Sequence, residues 1–322
     1  MKIYRSLEDV PAGFGPSALT IGNFDGVHCG HRRILRRLRA VALERGWKPS
    51  VLTFDPHPTR VVAPERAPRL LTTPDRRAAL IVQEGVEQLL ILPFTREVAQ
   101  MEPEAFVKSL LVERLGARAV LVGENFRFGH RQAGNAGLLA ELGRKLGFET
   151  QIVPAITYRG RVISSSGIRE LIRAGRVSLA ARFLERGYAV EGEVVSGRGI
   201  GSRQTVPTLN LRTNAEVLPA TGVYVTRTRD LDGPREWHSV TNVGYRPTFG
   251  TSSDLSIETF LLDPLEGEAP HRIRVEFLWR VREERKFESP EALKAQILKD
   301  AHAAERYLRR ARAWVGRPLT PA

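Results

Sequence analysis

Two domains of different texture are expected from this sequence: an α/β domain on a parallel sheet, then an antiparallel β domain closed by a helix. Three observations carry that expectation. The 322 residues exceed one ordinary domain and suit two. Through the first half, short apolar strands alternate with amphipathic stretches of helical length. After Gly187 the chain turns to β-rich segments separated by Gly, Pro, Asn and Asp.

The elements follow in order. Residues 18–21 form a short apolar strand that runs into a glycine-rich segment. Residues 30–45 read as a helix with Ile34, Leu35, Leu38, Val41 and Ala42 on one face and Gly46 as its C-terminal cap. Further strands are expected at 51–54, 88–93, 119–122 and 150–153, with helices over 74–84, 103–115 and 135–146. Residues 167–186 read as two short helices joined at Ala174-Gly175-Arg176. Strands at 188–196, 206–212, 222–229, 236–243, 255–262 and 271–280 suit an antiparallel barrel or sandwich. A last helix over about 289–314 opens at Ser289-Pro290-Glu291, good N-cap and N1 chemistry. The natural boundary lies near 185–188, giving domains 1–186 and 187–322.

Composition bounds the function. With 42% hydrophobic and 26% charged residues the chain is globular rather than disordered. No apolar run reaches the roughly 18 residues of a membrane span, and the N-terminus has no signal-peptide core. The single cysteine, Cys29, rules out an internal disulfide framework. A cytoplasmic protein without a membrane partner is expected. The net charge of +13 points to anionic partners. Its densest groups, Arg32–Arg39 and Arg306–Arg312, lie on expected helices. Charge alone does not choose between nucleic acid and phosphorylated small molecules.

The run Gly22-Asn23-Phe24-Asp25-Gly26-Val27-His28-Cys29-Gly30-His31 follows a strand and opens a helix. Helix N-termini offer unpaired N–H groups and a positive dipole end to phosphate. His28 and His31 share a side if the helix starts at once, and could stabilise charge on a leaving pyrophosphate. Gly26 and Gly30 allow close approach of a ligand. The same run also admits a plain glycine-rich turn, or a metal held by His28, Cys29 and His31, although no companion pair with zinc spacing exists. A second piece, Ile163-Ser164-Ser165-Ser166-Gly167-Ile168-Arg169, sets serines at a helix start and an arginine in its first turn. That is a phosphate-binding arrangement or an ordinary N-cap.

These pieces, with Thr53-Phe54-Asp55-Pro56-His57-Pro58 and Gly123-Glu124-Asn125-Phe126-Arg127-Phe128-Gly129, resemble the HxGH nucleotidylyltransferase superfamily. More closely they resemble the N-terminal module of bacterial bifunctional riboflavin kinase/FAD synthetase. The resemblance implies a Rossmann-like nucleotidyltransferase domain that adenylylates FMN with ATP. ATP would be held by Gly22, Phe24, Asp25, Gly26, His28, Gly30, His31, Asn125, Ser164, Ser165, Ser166 and Arg169. His28 and His31 would be catalytic, and Phe54, Pro56 and Pro58 would shape the flavin side.

In the second half, Gly197-Arg198-Gly199-Ile200-Gly201 lacks the following helix of a dinucleotide fingerprint. It reads as a loop over phosphates or a hairpin turn. Thr208 and Asn210 in Pro207-Thr208-Leu209-Asn210 set two hard oxygen ligands on one face of a strand. Glu258, in a hydrophobic strand, is either paired structurally or kept as a base. In order, these segments resemble the riboflavin kinase module of the same family, together with Gly222-Val223-Tyr224, Asn242–Gly250 and Lys286-Phe287. That resemblance implies a six-stranded antiparallel barrel with a C-terminal helix. Gly197, Gly199, Gly201, Thr208 and Asn210 would bind ATP, Thr208 and Asn210 would hold Mg²⁺, and Glu258 would be the general base. Two departures stand out: Leu209 where the family has alanine, and Phe260 where it often has histidine.

The expected reading is therefore conversion of riboflavin to FMN and of FMN to FAD. Its partners are riboflavin, FMN and ATP, with self-association left open. One alternative keeps a single activity. Another is an RNA-binding relative of class I aminoacyl-tRNA synthetases, against which stand the missing anticodon modules and the lack of an aromatic-basic RNA platform.

Overall fold

The computed structural model describes residues 2–195, 208–245 and 255–312. The chain divides into two compact units, Met1–Gly167 and Ile168–Ala322. The division falls earlier than the boundary near 185–188 expected from composition. The helix Val177–Leu184 packs on the strands Arg272–Arg282 and Tyr188–Val195 of the second unit, and Ser178 Oγ donates to the Leu278 carbonyl at 2.9 Å.

The first unit is a six-stranded sheet in the order Lys2–Tyr4, Gln88–Pro93, Lys48–Asp55, Ser17–Ile21, Ala117–Gly123, Glu149–Val153. Every pairing is parallel. Such strands must be covered on both faces, which is why they read as unbroken apolar runs. On one face Leu35, Leu38, Val41 and Ala42 of helix Cys29–Arg45 pack with Ala78, Leu80 and Ile81 of helix Pro74–Val82. On the other, Phe106, Val107, Leu110 and Leu111 pack with Leu139 and Leu142 of helix Ala136–Leu146.

The edge strand Lys2–Tyr4 was not expected from the sequence, since three residues carry no readable period. The helix expected over 103–115 is present but wound as a π-helix over Phe106–Arg114. In a parallel sheet the loops after the strands gather at one edge. Here the chain runs from Ser17–Ile21 outward on one side, then crosses back to Ala117–Gly123 on the other. The crevice at such a switch point is where open α/β sheets bind ligands.

The second unit closes a six-stranded antiparallel barrel in the order Tyr188–Val195, Thr208–Arg212, Leu255–Leu261, Glu236–Tyr245, Gly222–Asp230, Arg272–Arg282. This settles the choice between barrel and sandwich. Alternate residues point inward, and the interior carries a row of hydroxyls as well as apolar groups. Thr226 Oγ1 lies 2.8 Å from Ser239 Oγ and 2.7 Å from Thr241 Oγ1, and Thr241 lies 3.0 Å from Thr259. Thr228 bonds Ser239 at 2.8 Å. All five are 0% exposed. On the outside, Val223, Val225 and Val240 pack against Ala304, Tyr307 and Leu308 of helix Pro290–Arg312. Trp279 stacks on Tyr307 with centroids 5.5 Å apart.

Candidate active sites

The first site grows out of the switch point. Phe24, Gly26 and Val27 take φ of 50°, 78° and 37°, and the Val27 N–H closes the turn on the Phe24 carbonyl at 3.0 Å. A left-handed β-branched residue is strained by about 1–3 kcal/mol, so the surroundings must hold it. Asp25, 2% exposed, accepts from the Leu71 and Thr72 N–H groups at 3.0 and 3.1 Å. Its carboxylate thereby ties the turn to the 70–72 segment. Arg77, 1% exposed, donates to the carbonyls of Asn23 at 3.2 Å and Phe54 at 2.9 Å. Burial holds its pKa below the usual arginine range, against the opposing pull of Asp25 and Asp55. Arg77 braces two motif segments at once, and sequence reasoning missed it.

The turn delivers the helix Cys29–Arg45, with His28 as its N-cap. His28 Nδ1 accepts from the Gly30 N–H at 3.2 Å, so the neutral ring carries its proton on Nε2 as a donor. The rings of His28 and His31 stack with centroids 3.8 Å apart. Phe24 meets His31 edge-on at 5.1 Å. A Cβ on Gly30 would stand 3.0–3.1 Å from the His28 ring, which explains the glycine between the histidines. Similarly, a Cβ on Gly22 would meet the Phe24 ring at 3.2 Å. Cys29 is buried.

The remaining predicted residues of this site fall as follows. Ser165 Oγ donates to the Asp25 carbonyl at 2.9 Å, joining the two phosphate-type segments across 140 positions. Ser164 Oγ accepts from the Gly167 N–H at 3.2 Å and is the capping serine. Ser166 lies in the first turn of Ser165–Arg173, and Arg169 follows on the same helix, within the second unit. Asn125 sits exposed in the turn after Ala117–Gly123. Phe54 is buried against Phe94 at 5.4 Å, while Pro56 is exposed and Pro58 half-buried. Gly22–His31, Pro56–Pro58 and Asn125 thus follow the C-terminal ends of three adjacent strands, and Phe54 lies within one of them, one residue before its end.

The second site lies on the outer face of the barrel. Asn210 stands directly opposite Glu258, and Thr208 opposite Phe260. Because side chains alternate, Thr208, Asn210, Glu258 and Phe260 share one face while Leu209, 3% exposed, points inward. The substitution of alanine by Leu209 is thereby absorbed in the core. The row continues through Asn242 and Val223 to Arg282. Asp300 of the last helix grips Arg282, at 3.0 Å to Nε and 2.8 Å to Nη2. Gly197, Gly199 and Gly201 lie outside the described residues. Two neutral oxygen donors from Thr208 and Asn210 suit Mg²⁺ carried on phosphates. Among the described residues no group of three or more His, Cys, Asp or Glu could hold a metal ion.

Comparison with known proteins adds identity to geometry. Residues 12–167 match the family described as FAD synthetase, and residues 184–308 match the family described as riboflavin kinase. A Pseudomonas fluorescens protein named bifunctional riboflavin kinase/FMN adenylyltransferase is 35% identical over 304 residues, 94% of this chain and 97% of the relative. The protein of that name from Escherichia coli K12 is 32% identical, covering 95% of this chain and 98% of its own. A solved Streptococcus pneumoniae structure described as a macrolide-efflux protein superposes with a TM-score of 0.81 at 26% identity, over 94% of this chain and 97% of that one. Among the described residues, no helix is long and apolar enough to cross a membrane.

Proposed function

The chain belongs to the bifunctional riboflavin kinase/FMN adenylyltransferase family and carries both steps from riboflavin to FAD, and we propose the residues that perform each. In the kinase step Glu258 accepts the proton of the ribityl 5′-hydroxyl as its oxygen attacks the ATP γ-phosphorus and ADP leaves. Thr208 and Asn210 would hold Mg²⁺, and with Gly197, Gly199 and Gly201 they bind the ATP phosphates. The metal, when bound, neutralises phosphate charge.

In the second step an FMN phosphate oxygen attacks the α-phosphorus of ATP and pyrophosphate leaves. No covalent enzyme intermediate is required, so positioning and charge stabilisation suffice. His28 and His31, stacked at the helix entrance, hold the phosphates. Ser164, Ser165, Ser166 and Arg169 close over them, and Gly22, Phe24, Asp25, Gly26 and Gly30 shape the turn. Asn125 lies by the nucleotide, and Phe54, Pro56 and Pro58 by the flavin. The reading fits a cytoplasmic enzyme and needs no nucleic acid or membrane partner.

The observation that carries it is the pairing of Asn210 with Glu258 on one face, in a unit separate from the histidine turn. Chromatography of products made from riboflavin or FMN, ATP and Mg²⁺ tests it. Glu258→Gln should lose FMN formation by about 10²- to 10⁴-fold and keep FAD formation from FMN. His31→Ala should lose FAD formation by about 10²-fold and keep the kinase. Loss of both activities in either variant would refute independent sites.

A further inference from the structure

Two segments of the first unit meet through a side-chain bond to which the reaction described above gives no part. Asn23 lies between Gly22 and Phe24, in the turn after Ser17–Ile21. His57 lies between Pro56 and Pro58, after the adjacent strand Lys48–Asp55. His57 Nε2 stands 3.0 Å from the Asn23 amide. We propose that His57 is a positioning residue for FAD formation: through Asn23 it fixes the spacing between the segment that takes ATP and the segment that takes FMN, an inference that rests on the assignment of those segments to those substrates.

FMN and ATP arrive as separate molecules, and the attacking oxygen must be held about 3–3.5 Å from the α-phosphorus and in line with the leaving group. A misplacement of about 1 Å costs on the order of 10²-fold in rate. Strand pairing sets the spacing of the two segments only as far as Ile21 against Leu52, followed by the Gly22 N–H donating to the Leu52 carbonyl at 3.1 Å. Past that point side chains make the bonds. Thr53 Oγ1 donates to the Asn23 carbonyl at 3.3 Å, and Arg77 joins the carbonyls of Asn23 and Phe54. These hold main chain at or before the end of Lys48–Asp55. Beyond it, Pro56 and Pro58 bring no N–H of their own to be held by, and His57 is the polar side chain between them.

A local role does not account for the whole ring. His57 caps the short helix Pro58–Val62, its Nδ1 accepting from the Thr59 N–H at 3.3 Å. Capping needs one acceptor, which asparagine or serine supplies with fewer atoms. The second ring nitrogen is the one that crosses to the neighbouring loop. The ring is 8% exposed, so both nitrogens are engaged away from bulk water, where a bond between side chains is hard to replace by solvent. The bond joins the middle of the ATP segment to the middle of the flavin segment, which is where the phosphate of FMN has to meet ATP.

The test uses the full chain and separates the two roles of the ring. His57→Asn keeps an oxygen to cap Thr59 but is too short to reach Asn23, while His57→Gln places an amide near the position of Nε2. Asn23→Ala removes the bond from the other side and leaves the His57 cap in place. For each, kcat and KM of FAD formation from FMN and ATP are measured beside FMN formation from riboflavin and a melting curve. His57→Asn and Asn23→Ala should each lower kcat for FAD formation by about tenfold to 10²-fold, with both KM values within about threefold. Kinase activity should stay unchanged and the melting temperature within about 5 °C. His57→Gln should recover kcat to within about threefold of wild type. The double variant His57→Asn/Asn23→Ala should be no slower than the slower single within about threefold, as for residues acting as one unit. The proposal is overturned by a wild-type kcat in Asn23→Ala, by a loss confined to KM for FMN, by multiplicative effects in the double variant, or by equal losses in His57→Asn and His57→Gln. If His31→Ala by itself forms FAD at the wild-type rate, the assignment of ATP to this turn falls and this inference with it, a result visible without any change at His57.

Discussion

Replacing Gly30 by alanine should uncouple stability from one of the two activities. Gly30 is the second residue of helix Cys29–Arg45, where alanine is favoured over glycine by up to about 1 kcal/mol. Against that, the new Cβ stands 3.0–3.1 Å from the His28 ring, closer than side chains comfortably pack. The ring must turn away, at about 0.5–1.5 kcal/mol if it leaves its rotamer. The two effects nearly cancel, so the melting temperature should move by no more than a few degrees. Chemistry has no such compensation. Turning the ring breaks the 3.2 Å contact from the Gly30 N–H and the 3.8 Å stack on His31, and with them the aim of both imidazoles. Loss of one preorganised donor costs about 2.7–4 kcal/mol in the transition state, or 10²- to 10³-fold in rate. FAD formation from FMN, measured beside FMN formation from riboflavin and a melting curve, should show that selective loss. FAD formation within about twofold of wild type would refute the reasoning, as would an equal fall in both activities.

Other outcomes follow from the same geometry. Arg77→Leu removes two charge-assisted hydrogen bonds to buried carbonyls, each worth about 1.5–3 kcal/mol, and should lower the melting temperature of the first unit and FAD formation together while sparing the kinase. Asp300→Asn leaves the partly buried Arg282 with a weaker acceptor; a thermal scan should show the second unit destabilised by about 1–3 kcal/mol. Burial pushes the Tyr224 phenol up to about 12, above its unfolded value near 10. Its neutral form is therefore favoured by folding: that stability is full below pH 10 and is lost as pH rises towards 12. Tyr224→Phe should flatten this alkaline loss in denaturant titrations monitored across that window.

The sequence shows the central strands plainly because parallel strands covered on both faces carry unbroken apolar runs, as at residues 119–122 of Ala117–Gly123. The histidine turn was legible because glycines, histidines and a helix start coincide within ten residues. What escaped reading depends on partners distant in the chain. Asp25 is expected among the ATP-binding residues, yet its carboxylate is engaged 46 positions away. Arg77 sits in a helix whose arginines look like a solvated face, and only the carbonyls of Asn23 and Phe54 reveal its purpose. Ser164 and Ser165 are adjacent and alike, but one caps its own helix and the other joins the turn. The segment Thr226-Arg227-Thr228-Arg229 alternates clearly, but the pattern does not say that hydroxyls would fill the interior of a barrel.

That interior has a bearing on the outer surface. An all-aliphatic lining would tolerate a strand slipping by two residues, since one methyl group packs much like another. Hydroxyls do not, because each must find a donor or acceptor at one spacing or be left unsatisfied at about 1–3 kcal/mol. Thr241 and Thr259 face each other inside, one residue along from Asn242 and Glu258 outside. The inner pair thus works as a detent for the outer one: a shift that misaligned the carboxylate from its flanking amides would first have to pull apart bonds sealed from water.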